Sequence, residues 1–231
     1  MKHCHLIAAL TAAACAEHSE AESGRDSRVD TRQEVMLDAA QVRPSDPPAT
    51  VKEYVPEAPW FNIYRREDLS VHEATMPVIV WANGVCSRSD FAWESMFRYW
   101  ASAGFVVLAL TENPGDSSAS QTTVADQAGL IDWVVRQADV AGGPYFGKLA
   151  TDRIVAAGNS CGGVTTLRLT ASDTRVAAAF VLSGSSGDGA ADSSVVDRIR
   201  VPVGYIIGGA ADVVGENAKS DYERFRLASL Q

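Results

Sequence analysis

At 231 residues the chain has room for one α/β domain and a leader, and its 46% hydrophobic content is ordinary for a globular protein with a full core. A formal charge of −9, with the basic residues scattered, argues against nucleic acid as a partner. No apolar run approaches the ~18 residues that a membrane-spanning helix needs.

The chain starts Met1-Lys2-His3, and Cys4 to Ala14 is rich in Leu, Ile and Ala. A basic start, an apolar middle and small residues at the end form the pattern of a signal peptide. Residues 1–15 are therefore expected to direct export, to the periplasm or the exterior. Cys15 follows Ala12-Ala13-Ala14, with Leu10 upstream, and this resembles a bacterial lipoprotein box. That likeness implies lipid attachment at Cys15 and anchoring to a membrane, although Ala12 stands where such a box usually has leucine. Residues 16–50 are charged and polar, with Pro44, Pro47 and Pro48 close together. They lack enough apolar surface to fold alone and are expected to be a disordered tether.

From residue 51 to 231 the pattern is that of a folded body. Phe61–Tyr64 reads as a strand. Pro77–Ala82 and Phe105–Leu110 are continuous apolar runs, the pattern of strands buried on both faces of a parallel sheet. Between them Phe91–Ala103 reads as a helix, with Asp90 as its N-cap and Gly104 as its stop. Thr123–Val140 reads as a second helix carrying Leu130, Ile131, Val134 and Val135. Ile154–Ala157, Val176–Leu182 and Val203–Ile207 read as further strands, and Gly163–Thr170 as a helix. Strands alternating with helices predict a mostly parallel, doubly wound α/β sheet. In such a sheet ligands bind outside the carboxyl ends of the strands. The loops there are Asn83–Arg88, Thr111–Ser117, Asn159–Gly163 and Gly208–Gly215.

One of those loops carries Gly158-Asn159-Ser160-Cys161-Gly162, a G-x-S-x-G pattern between an apolar run and a helix. That context makes Ser160 a candidate nucleophile on a sharp strand-to-helix turn, where small flanking residues let strand and helix pass closely. The alternative is a glycine-rich loop without chemistry. The backbone N–H of Cys161 would open the new helix and face developing negative charge. The second oxyanion donor is expected from Asn83-Gly84-Val85-Cys86, with the Val85 N–H as the candidate; read in isolation, Asn83-Gly84 is a turn. Asp212, just past Ile206-Ile207-Gly208-Gly209, is the candidate acid. Asp188 is second choice, and Asp116 reads as a turn residue. Cys86 and Cys161 fall in two loops that frame one pocket. In an exported protein they form either a disulfide that fixes both donors or two separate thiols.

A serine nucleophile needs a base, usually a histidine oriented by a carboxylate. The chain's four histidines are His3, His5, His18 and His72, and none follows Ser160. All four read as leader, linker or surface residues. Trp81, Phe91, Trp93 and Trp100 read as core and helix-face residues.

Together these residues resemble the α/β-hydrolase superfamily, and more closely its secreted esterases of the dienelactone hydrolase and cutinase (PET hydrolase-like) group. One branch pairs an Asn-Gly-x-Cys oxyanion loop with a Gly-x-Ser-Cys-Gly-Gly elbow. Here these are Asn83-Gly84-Val85-Cys86 and Gly158-Asn159-Ser160-Cys161-Gly162-Gly163. The branch also has Gly-Gly-x-x-Asp, then Asn and Asp-Tyr, matched by Gly208-Gly209-Ala210-Ala211-Asp212, Asn217 and Asp221-Tyr222. The likeness spans roughly residues 60 to 225. It implies an α/β-hydrolase fold and a serine ester hydrolase acting on small-molecule or polymer esters, with no metal or organic cofactor. The branch continues into a Gly-His-Gly-Gly loop and a closing helix, whereas this sequence reaches Gln231 before them. The expectation is a domain lacking its last strand and helix and inactive as it stands. Two other expectations stand beside it: a non-catalytic protein that binds an acyl or aromatic ligand, and a degenerate product that folds poorly.

Overall fold

The computed structural model describes residues 47–70, 75–112, 121–187 and 194–228, with backbone only at 226–228. The leader, Cys15, residues 16–46 of the tether, all four histidines, Asp116 and Asp188 lie outside the described residues. So does most of the Thr111–Ser117 loop.

The chain forms a seven-stranded sheet: β1 Thr50–Tyr54, β2 Phe61–Arg66, β3 Met76–Ala82, β4 Val106–Leu110, β5 Leu149–Asn159, β6 Val176–Leu182 and β7 Val203–Ile206. The strand order is β1-β2-β4-β3-β5-β6-β7. β2 runs antiparallel to β1 and to β4, and every other pairing is parallel. The helices are α1 Glu94–Ser102, α2 Val124–Asp139, α3 Cys161–Ser172, α4 Ser194–Arg198 and α5 Gly215–Ala228.

Alternation along the central strands explains why helices cover both faces. Val78, Val80 and Ala82 join one buried cluster with Leu130, Ile131 and Val134 of α2. Ile79 and Trp81, pointing the other way, pack with Phe97 and Trp100 of α1. Each fully buried side chain of this size contributes about 1.5–3 kcal/mol, so both helices are fixed mainly by their apolar stripes. Thr123 caps α2 through a reciprocal box, its side chain taking the Asp126 N–H while the Asp126 carboxylate takes the Thr123 N–H. Gly104, at φ 99°, ends α1 in a conformation that other residues rarely adopt.

Several expectations change. β1 opens at Thr50, so the folded body begins inside the segment expected to be tether, and Phe61 starts the second strand. The helix expected from Phe91 is a 3-10 turn over Phe91–Trp93 followed by α1, and Phe91 is exposed. Asp90 makes no side-chain cap. It is instead a buried carboxylate that takes the Tyr64 hydroxyl at 2.6 Å, Asn62 Nδ2 at 2.8 Å and Lys52 Nζ. A carboxylate that can collect tertiary donors gains more from them than from an exposed helix start. α4 and α5 complete the layer beside β6 and β7, where Val195 and Ile199 pack with Leu167 and Val181.

Candidate active site

β5 ends at Asn159 and α3 begins at Cys161, so a single residue turns the chain between them. That residue, Ser160, sits at φ 50° and ψ −118°. Its N–H donates to the Leu182 carbonyl of β6 at 2.9 Å, which holds the turn against the sheet. The flanking glycines are sterically required. A Cβ on Gly162 would run into the Ala82 and Asn83 carbonyls, and one on Gly158 into the Gly162 carbonyl. Serine is a favoured helix cap, yet the Ser160 hydroxyl caps nothing, and no described residue bonds to it.

The loop after β3 lies beside this turn. Asn83 is buried and fixes the loop's start. Its Nδ2 donates to the Leu110 carbonyl at 2.8 Å, and its Oδ1 accepts from Trp81 Nε1 at 2.8 Å. A side chain on Gly84 would strike Asn159. Val85 and Cys86 follow at φ 57° and 49°. A β-branched residue in this region is strained, at a cost of about 1–3 kcal/mol. The strain is held on both sides: Ser87 N–H donates to the Gly84 carbonyl, and Thr122 N–H to the Cys86 carbonyl. Cys86 is also joined by a disulfide to Cys161, with the Cα atoms 5.2 Å apart. Among the described residues no acceptor takes the Val85 N–H. Cys161 is the first residue of α3, so its N–H has no acceptor within the helix. Both donors expected from the sequence therefore lie on segments that one covalent bond clamps together.

Asp212 sits past β7 in a short turn. Its carboxylate accepts the Gly208 N–H at 2.7 Å and the Val214 N–H at 3.2 Å. The Ser183 hydroxyl is a third donor. These backbone donors, Gly208 first, hold the carboxyl below the usual aspartate range, so it is ionised at neutral pH. Ser183 follows β6 directly and stands at φ 42°.

Val214, two residues beyond Asp212, lines a cleft of about 710 Å³ together with Ser160, Cys161 and Cys86. One wall is the loop and first turn of α2, and the other is the stripe of α3 formed by Cys161, Val164, Thr165 and Arg168. Ser160 and Cys161 at the elbow, Cys86 of the loop after β3 and Val214 past Asp212 thus border one cavity at the carboxyl ends of β3, β5 and β7. Among the described residues no group of three His, Cys, Asp or Glu is placed to hold a metal, and no helix is long and apolar enough to cross a membrane.

Three residues support this arrangement, and of them the sequence singled out only Asp221, in the Asp221-Tyr222 pair. Gln127 of α2 is fully buried beneath the elbow, and its Nε2 reaches the Val80 carbonyl at 3.0 Å, the Ala157 carbonyl at 3.1 Å and Thr166 Oγ1 at 3.1 Å. Asp221 of α5 takes the Ser186 N–H and hydroxyl and the Tyr205 hydroxyl, tying α5 to the loop after β6. Ser183 acts through Asp212. Only the tertiary fold reveals these partners. Compared with known proteins, the sequence matches no family profile and no curated protein.

Proposed function

We propose that this chain is a serine ester hydrolase of the α/β-hydrolase type, with Ser160 as nucleophile. One observation carries the proposal: Ser160 tops a strand-to-helix turn at φ 50°, its hydroxyl bonded to no described residue, in a cleft that Cys161, the first residue of the new helix, also lines. The donor arrangement fits that of such enzymes, one N–H from the residue after the nucleophile and one from the loop after the third strand.

In the proposed reaction Ser160 Oγ attacks the ester carbonyl carbon and loses its proton to a base. The carbonyl oxygen becomes an oxyanion held by the Val85 and Cys161 N–H groups. Collapse expels the alcohol, which takes the proton back from the base. Water then attacks the acyl-serine by the same route and releases the acid. Asp212 would orient a histidine base; the chain's four histidines lie outside the described residues. We further propose that residues 1–15 direct export and that Cys15 carries a lipid anchor. A disulfide in the folded body agrees with an oxidising compartment.

The test is acylation by p-nitrophenyl acetate, with and without added imidazole as an external base. The expected result is a burst of one nitrophenolate per chain, with the acetyl group mapped to Ser160 and the burst abolished in Ser160→Ala. An undiminished burst in Ser160→Ala would sink the proposal. A second reading, a protein that holds an acyl ligand without turning it over, is favoured by the absence of any described side chain bonded to the Ser160 hydroxyl. It predicts ligand binding without a burst, even with imidazole.

A further inference from the structure

We propose that Arg168 selects the substrate: it receives a carboxylate carried by the ester, about two helical turns from the attacked carbonyl. This rests on the serine hydrolase reading and names the substrate class, a half-ester of a dicarboxylic acid with an apolar spacer.

Cys161, Val164, Thr165 and Arg168 recur at helical spacing, so they form one stripe along α3. All four line the cleft that contains Ser160. Seven residues of helix separate Cys161 from Arg168, which places the arginine about 10 Å along the axis from the elbow. The nucleophile stands at one end of the stripe and a cation at the other. Between them Val164 and Thr165, with Val124 also lining the cleft, offer a largely apolar path.

Arg168 is the one charged side chain among the described lining residues. It has no hydrogen-bond or ion-pair partner among the described residues. Several other described arginines are occupied, Arg88 by Asp126, Arg98 by Glu94 and Arg175 by Asp132 and Asp173, whereas Arg136, which shares Arg168's lack of a described partner, does not line the cleft. Acidic residues outnumber basic ones, 29 to 20, so an uncommitted guanidinium directed into a cleft is conspicuous. Its planar fork of donors matches a carboxylate in two-point contact, which a lysine ammonium does not. A neutral ester would leave this group solvated and unused.

The experiment measures binding of monomethyl suberate and dimethyl suberate to the Ser160→Ala protein, which removes turnover. The monoester should bind about fivefold more tightly than the diester, the upper range for a solvent-exposed charge pair. The preference should shrink as salt rises. It should vanish in Ser160→Ala/Arg168→Gln and persist in part in Ser160→Ala/Arg168→Lys, with melting temperatures showing that each variant is folded. Equal binding of the two esters, an unchanged preference in the Arg168→Gln variant, or no binding of either ester would overturn the proposal. Reaction of the unmodified chain with a neutral fluorophosphonate separates the two claims. Ser160 labelling without a charge preference defeats only the Arg168 assignment. A charge preference without Ser160 labelling leaves the anion site standing and defeats the hydrolase reading.

Discussion

Asp90 and Asp212 are both loop carboxylates, and their surroundings use them in opposite ways. Asp90 is 4% exposed and collects side-chain donors, Tyr64, Asn62 and Lys52, that tie β1 and β2 to the segment entering α1. Burial, and then Asp90 itself, push the Tyr64 phenol well above its ordinary range, so the hydroxyl stays a donor. Asp212 is half-buried and holds backbone N–H groups beside a cleft. The backbone differs as well. The described non-glycine residues with positive φ are Val85, Cys86, Ser160 and Ser183, and all four surround the elbow and its acid turn. The β1–β2 corner therefore commits its polar groups to stability. The elbow keeps positive φ angles and, among the described residues, a hydroxyl and amides without partners, the marks of a site shaped for something other than stability.

The comparison can be broken most severely at the elbow. Gly162→Ala drives a Cβ into two backbone carbonyls that cannot move without shifting β3. A loss of roughly 4 kcal/mol or more is expected, measured by urea unfolding against an Ala substitution at Gly142, where a Cβ meets nothing within 4 Å and the cost is that of the positive φ of 77° alone. A loss at Gly162 no larger than at Gly142 would mean that the close strand–helix approach is not needed.

Removing the disulfide comes next. It closes a separation of 75 residues, so the Cys86→Ser/Cys161→Ser protein should lose about 4 kcal/mol by the chain-entropy account. The acylation burst should slow as well, because the clamp that sets both oxyanion donors is gone. A stability loss with an unaltered burst rate would separate the clamp from the chemistry.

Asp90→Ala is the sharper control. It strands the Tyr64 and Asn62 donors in a buried corner, for an expected loss of about 3 kcal/mol. The burst rate below the melting transition should not change. A slowed burst would show that the two regions are coupled. Lys52→Met, removing the half-exposed ion pairs to Asp90 and Glu94 and the ammonium over the Tyr64 ring, should cost about 1 kcal/mol.

How much of this was legible in the sequence follows the same division. β3, β4 and β6 are runs buried on both faces, and a continuous apolar string announces them. The elbow was readable because its glycines answer a steric demand within a few residues. β1 was not, because Thr50–Tyr54 is a half-wet edge strand carrying Lys52 and Glu53, with no buried face to impose a period. Asp90 looked like a helix cap because its true partners lie 26 to 38 residues earlier. Gln127 was hidden for the same reason: its three acceptors come from β3, β5 and α3. Local chemistry was visible, and the contacts that hold it in place belong to the fold.

The most direct test of the central claim is intact-mass analysis after reaction with a neutral fluorophosphonate, with imidazole present as an external base. One adduct per chain is expected, located at Ser160 and lost in Ser160→Ala. An adduct elsewhere, an adduct that survives Ser160→Ala, or a folded chain that takes none would contradict it.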